Sequence, residues 1–177
     1  GSYLADGNTT KKALANSLKS LMRETDFRKI SIGAVCDGCN MNRKSFYYHF
    51  KDKYDLINWI YDTEFIEEMR NRKHTDGRAF LNDMCEYFYE NRGFYGQALK
   101  ITGQNSFSEH FRGLIAPLLA SRIKEVFKAG SDGFYTSFYT DAFICTVERW
   151  LVAKTVTLPQ EFSDNLWAVI DKTFGSD

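Results

Sequence analysis

The chain has 177 residues, 44% of them hydrophobic and 26% charged, the balance of an ordinary globular protein of one domain, or of a small domain fused to a modest second one. Its formal net charge is zero, which excludes a uniformly basic nucleic-acid binder. Yet residues 1–60 carry ten Lys or Arg against six Asp or Glu, and residues 61–177 carry thirteen against seventeen, so a basic head precedes an acidic body.

The spacing predicts a first helix from Thr10 to Glu24. Ala13, Leu14, Leu18, Leu21 and Met22 share one face, and Lys11, Lys12, Lys19 and Arg23 decorate the rest. Phe27 and Ile30 pack as the chain turns. Ser31 is the expected N-cap of a second helix, Ile32 to Cys39, with Ile32, Val35, Cys36 and Cys39 on its buried face. Asn40-Met41-Asn42 makes a tight turn. Asn40 tolerates positive φ, Met41 plugs the gap between helices, and Asn42 caps a third helix, Arg43 to Phe50. Asp52 caps a fourth helix, Lys53 to Arg72, with Asp55 in a box-like position three residues later. Leu56, Ile57, Ile60, Tyr61, Phe65, Ile66 and Met69 keep its apolar stripe continuous.

The body reads as further helices. Arg78 to Asn91 comes first, then a Gly-punctuated piece from Phe94 to Thr102, then Phe107 to Lys128, which Pro117 should kink or divide. A loop is expected at Gly130-Ser131-Asp132-Gly133. Phe134 to Val156 is long and apolar, Leu158-Pro159 ends it, and Gln160 to Phe174 forms the last helix. No series of alternating strands is visible. The expected fold is all-α: an N-terminal three-helix helix-turn-helix head (residues 1–53) and a C-terminal helical-bundle domain (residues 54–177), joined through the long fourth helix rather than a flexible linker.

The second and third helices have the layout of a helix-turn-helix reader of the DNA major groove. Arg43 and Lys44 stand in the first turn of the third helix, where side chains meet base edges, and Ser45 bonds either way. Phe46 and Phe50, four apart, face inward. Tyr47, Tyr48 and His49 point outward, and phenol and imidazole groups donate well to phosphate oxygens. Lys53 begins the fourth helix, so its charge and the helix N-terminus can share a phosphate. With the capping residues Ser31 and Asn42, these form the expected DNA-binding set. A solvated helical hairpin with no ligand is the bland alternative.

Cys36-Asp37-Gly38-Cys39 invites a zinc or redox reading, but no second pair completes a zinc site and both thiols fall on the buried face, so packing is the expected role. No disulfide framework follows from Cys36, Cys39, Cys85 and Cys145. Neither a signal peptide nor an apolar run of about 18 residues is visible. A reduced, cytoplasmic location without membrane is the expectation, and Gly1-Ser2 looks like an expression scar. No phosphate loop, catalytic set or metal cluster is found, so neither an enzyme nor a cofactor is expected.

Aromatic residues make up 16% of the chain, enough for thick cores, an oily cavity or a large interface. Trp59, Tyr61, Phe65, Tyr87, Phe88, Tyr95, Phe111, Phe143 and Trp150 are candidates for an effector pocket, and equally for core. The last two helices, with Trp150, Leu151, Trp167 and Ile170, are either core or half of a four-helix interface between two copies.

The run Phe46-Tyr47-Tyr48-His49-Phe50-Lys51-Asp52-Lys53-Tyr54-Asp55-Leu56 closely resembles the hallmark of the TetR/AcrR family of transcription factors. Ile30-Ser31-Ile32 fits the same frame. The turn departs from the usual Ala-Gly-Val-Ser, and Cys39-Asn40-Met41-Asn42 keeps each physical role. In the body, Phe80-Leu81, Tyr87-Phe88-Tyr89-Glu90-Asn91-Arg92, Phe94-Tyr95 and Asn105-Ser106-Phe107 resemble the subgroup of the dihydroxyacetone kinase operon activator. The family resemblance implies a DNA-binding head, an effector-binding body, a homodimer through the last two helices, and double-stranded DNA with a pseudo-palindromic operator as partner. It implies a repressor released by a small molecule. The narrower resemblance implies an activator controlled by a partner protein.

Overall fold

The computed structural model describes residues 2–103, 106–127, 133–155 and 157–175. Regular structure among them is helical throughout, and they gather into two compact units, Gly1–Ile66 and Glu67–Asp177. Asn105, the loop expected at Gly130-Ser131-Asp132, and the expected helix ends at Lys128 and Val156 lie outside the described residues. No described helix is long and apolar enough to cross a membrane.

The first unit holds α1 (Ser2–Met22), a 3-10 turn (Phe27–Lys29), α2 (Ile32–Asp37), α3 (Arg43–His49) and α4 (Lys53–Ile60). α1 begins well before the expected Thr10. Gly7 and Asn8 look like a helix start, but a Cβ built on Gly7 would stand 3.9 Å from His49 Cε1. That turn therefore lies against α3, and tertiary contact overrides weak local propensity. Leu14, Leu18, Met22, Phe27, Ile30, Val35, Phe46, Phe50, Leu56, Ile57 and Ile60 form the core of this unit.

Each expected N-cap is present. Ser31 Oγ accepts from the Ala34 amide at 3.0 Å, Asn42 Oδ1 from the Ser45 amide at 2.8 Å, and Asp52 Oδ1 from the Asp55 amide at 2.9 Å. Asp55 returns the favour one residue further out, accepting from the Lys51 amide at 2.9 Å. α2 ends in a Schellman motif. The Met41 amide donates to the Cys36 carbonyl at 2.9 Å, the Asn40 amide donates to the Asp37 carbonyl at 3.4 Å, and Asn40 sits at φ 55°.

The regular fourth helix expected to Arg72 is interrupted. After Ile60 the chain takes a π-helical turn, Tyr61–Ile66. Thr63 Oγ1 donates to the Trp59 carbonyl at 2.7 Å, competing with the backbone for an acceptor four residues back.

The second unit holds α5 (Glu67–Asn71), α6 (Gly77–Glu90), α7 (Arg92–Ala98), α8 (Phe107–Phe127), α9 (Gly133–Val152) and α10 (Pro159–Phe174). α6 packs on α10, and α9 packs on both α7 and α8. Gly96 lets α7 approach α9 closely, since a Cβ there would lie 3.2 Å from Val152 Cγ1. α8 runs unbroken through Pro117. The ring crowds the carbonyl four residues back, and that residue is Gly113, which carries no side chain.

Candidate nucleic-acid interface

α3 sorts its side chains into stripes four residues apart. Phe46 and Phe50 are buried and hold the helix to the core. Arg43 with Tyr47, and Lys44 with Tyr48, form two adjacent exposed stripes. Ser45 with His49 forms a half-buried flank. The exposure is large for aromatics: 57% for Tyr47 and 79% for Tyr48. Tyr47 stands edge-on to Phe46 at 5.5 Å between centroids, and Tyr48 edge-on to His49 at 5.0 Å. Each ring therefore rests on its neighbour while its hydroxyl faces solvent. Burial, and then the nearby Lys11 ammonium, push His49 below the usual imidazole range.

The remaining members of the expected set sit differently. Ser31 and Asn42 are exposed, but a side-chain oxygen of each is engaged in its cap. The Lys53 ammonium turns inward. It donates to the carbonyls of Phe27 at 2.9 Å and Ile30 at 2.6 Å, and lies 4.4 Å from the centre of the Phe27 ring. Burial lowers its pKa. Two of its three N–H groups are thereby committed to the fold.

Both thiols of the Cys36/Cys39 pair donate to backbone carbonyls. Cys36 Sγ reaches Asn42 O at 3.5 Å, and Cys39 Sγ reaches Val35 O at 3.4 Å. Burial raises both pKa values, the behaviour of packing thiols rather than reactive ones.

Sequence reasoning missed three neighbours of this surface. Ser17 on α1 donates to the Val35 carbonyl at 2.7 Å and is 7% exposed. Gly38 has no room for a Cβ beside that hydroxyl. Gly33 on α2 lies under the Arg43 guanidinium. Gly33 shows in the sequence only as a glycine that weakens the second helix, and the role of each is defined by a residue on another element.

The expected pocket residues are divided between the two units. Trp59 and Phe65 belong to the first unit, where Trp59 packs on Phe50 at 5.9 Å and Phe65 stacks on Tyr61 at 5.4 Å. Phe88, Tyr95 and Phe111 form a closed aromatic core with Phe94 and Phe107, all at most 4% exposed. Tyr87 borders it, receiving a hydrogen bond from Tyr95 Oη at 3.3 Å. Trp150 is sandwiched between Tyr89 and Phe162, 4.0 Å from the latter, and its indole N–H donates to the Thr157 carbonyl at 2.7 Å.

Phe143 lines a cleft of about 210 Å³, walled mainly by α9 and α10. Tyr139, Ala142 and Thr146 line it from α9, and Asn165, Val169, Ile170 and Thr173 from α10. Val169 is 62% exposed, and on α9 Phe134 and Phe138 are 72% and 59% exposed.

Residues 78–172 match the family described as transcriptional regulator C-terminal region, and residues 17–60 match the bacterial regulatory proteins of the tetR family. The chain is similar to the HTH-type dhaKLM operon transcriptional activator DhaS of Lactococcus lactis. It is 26% identical to that protein over 165 residues, which cover 87% of this chain and 85% of the relative. Among solved structures it is similar to the dihydroxyacetone kinase operon activator DhaS, with a TM-score of 0.62 and 23% identity over 94% of this chain and 98% of that one. It is also similar to a TetR transcriptional regulator from Streptococcus agalactiae, with a TM-score of 0.71 and 20% identity over 96% of this chain and 99% of that one. These two likenesses are likenesses of fold.

Proposed function

The chain belongs to the TetR family of bacterial transcriptional regulators, and from that premise we propose that it works as a homodimer whose two heads read the half-sites of a pseudo-palindromic operator. It is a DNA-binding transcriptional regulator of non-enzymatic type. Residues 1–53 take the DNA-binding role, and residues 54–177 the regulatory and dimerising role.

The observation that carries the reading is the pair of exposed stripes on α3. Arg43, Lys44 and Ser45, at its N-terminal end, reach base edges. Tyr47, Tyr48 and His49 reach phosphates, and the capped helix starts at Ser31 and Asn42 complete the contact. Lys53 holds the start of α4 in place with two N–H groups and keeps one for a phosphate.

The dimer is supported by the apolar face of α9 and α10. Phe134, Phe138 and Val169 are costly to leave in water, and an open cleft lies beside them. A second copy's α9 and α10 would cover all of it in a four-helix arrangement.

Activation of transcription is supported by the name of the Lactococcus relative, and control by a partner protein in place of a small ligand by a body interior filled with aromatic rings. Repression relieved by a small ligand is the second reading, supported by the α9–α10 cleft. In a dimer that cleft faces the second copy, which places activation first.

Gel-shift binding to the DNA upstream of the chain's own gene, at two salt concentrations, tests the core of the reading. Sequence-specific binding that weakens steeply with salt is the expected result. Binding that is weak and indifferent to sequence defeats it. Transcript levels after gene deletion settle the sign: target transcripts fall for an activator and rise for a repressor.

A further inference from the structure

Arg43 is exposed, yet its guanidinium does not extend freely from α3. It lies back against α2, over Gly33. A Cβ built on Gly33 would stand 3.1 Å from Arg43 Nη2, 3.5 Å from Nε and 3.7 Å from Cζ. The guanidinium therefore rests on bare backbone in the second position of α2.

Glycine is not there for its backbone freedom. Gly33 lies within α2 and is not among the residues of positive φ. In a helix with ordinary backbone, glycine is among the worst formers, and a hexapeptide helix such as α2 has little stability to spare. What glycine supplies at this position is space. A methyl group there already presses on the guanidinium, and a longer side chain occupies the volume the guanidinium now fills.

Recognition of guanine by arginine uses two parallel N–H bonds in a fixed fork, so it depends on the orientation of the guanidinium plane and not on charge alone. We infer that Gly33 is a positioning residue for Arg43: the missing side chain on α2 sets the direction from which the guanidinium enters the groove, and so sets the base preference at the step Arg43 reads. Gly33 itself touches no base. The inference rests on the reading of Arg43 as a base reader.

The test compares the full-length protein with Gly33→Ala, Gly33→Leu, Arg43→Ala and the double variant Gly33→Leu/Arg43→Ala, each bound to a library of operators varied one base pair at a time. Arg43→Ala is expected to flatten discrimination at one symmetric pair of positions, by about ten- to hundredfold. Gly33→Leu is expected to flatten or change preference at those same positions only, with Gly33→Ala intermediate, and to add nothing to preference in the Arg43→Ala background. These substitutions favour helix, so the fold is retained, and the preference profile is a readout that a purely structural role leaves unmoved. If Arg43→Ala leaves every preference intact, the reading of Arg43 fails and the role of Gly33 falls with it. If Arg43→Ala flattens the profile while Gly33→Leu keeps it, or weakens all operators equally, the Gly33 inference alone is overturned. A change caused by Gly33→Leu that persists without Arg43 overturns it as well.

Discussion

The Lys53 ammonium donates to the Ile30 carbonyl at 2.6 Å across 23 residues of chain. Its second bond, to the Phe27 carbonyl at 2.9 Å, makes it a staple between the start of α4 and the turn that leads into α2. Lys53→Met keeps the aliphatic stem but leaves both carbonyls short of a donor. Charged hydrogen bonds of this kind contribute roughly 1.5–3 kcal/mol, and the half-buried position reduces that to about 1–2 kcal/mol. Urea denaturation of the variant should show a lower midpoint at unchanged slope. An unchanged midpoint would mean that the two bonds contribute nothing to the fold.

The close approach of Gly38 to Ser17 gives a second expectation. A Cβ on Gly38 collides with Ser17 Oγ, which is engaged with the Val35 carbonyl at 2.7 Å. Gly38→Ala should therefore break a buried hydrogen bond and lower stability by about 1–3 kcal/mol, against the usual helical preference for Ala. In a Ser17→Ala background the same change should cost distinctly less, because the colliding oxygen is gone. A double-mutant cycle measures the coupling, and strict additivity would refute the collision.

What the chain disclosed in advance, and what it withheld, follows from how far apart the determining residues lie. Ser31, Asn42 and Asp52 act on amides three residues ahead, and Asn40 on its own backbone, so the helix starts and the turn were legible. The stripes of α3 follow from four-residue spacing. Gly33, Gly38 and the inward turn of Lys53 depend on partners that the fold brings in from elsewhere; a glycine inside a helix is visible in the sequence, but its partner is not. Composition is ambiguous for the body aromatics in the same way: Phe88, Tyr95 and Phe111 have the chemistry of a pocket wall, and only packing shows that they fill the interior. The π-helical turn had no signal beyond a threonine at position 63, which is compatible with a regular helix.

Thiol chemistry gives a third expectation. Cys145 is exposed, Cys36 and Cys85 are buried, and burial raises the pKa of Cys36, Cys39 and, to about 12, Cys85. Alkylation of the native protein at neutral pH should label Cys145 fast, the half-buried Cys39 slowly, and Cys36 and Cys85 only on unfolding, as read by mass spectrometry. The sign of the pH effect is fixed by linkage. Between the ordinary value near 9 and the raised value of about 12, the folded state keeps the Cys85 proton while the unfolded state releases it. The contribution of Cys85 is thus complete below pH 9 and declines as pH rises through this window. Cys85→Ala should lose that part of the alkaline decline, and fast native labelling of Cys85 would contradict its burial.

The exposed face of α9 and α10 supports the fourth. Phe138 on α9 is 59% exposed, and Val169, which lines the cleft from α10, is 62% exposed. In a monomer each is a surface residue, and Phe138→Glu or Val169→Glu should be neutral or mildly favourable for solubility. In a dimer covered by this face, each charge would be buried twice, once per copy, because a two-fold interface repeats every substitution. Burial of an unpaired carboxylate costs several kcal/mol, enough to convert a stable dimer to monomer at micromolar concentration. Sedimentation of the two variants should therefore show monomers of unchanged helix content, and operator binding should fall to that of a single head on a half-site. A substitution on the opposite side of α10 from Val169, such as Asp171→Lys two residues on, should leave both measurements near the parent's. If Phe138→Glu and Val169→Glu remain dimers, the interface lies elsewhere on the body, and the exposed aromatic face must serve another partner.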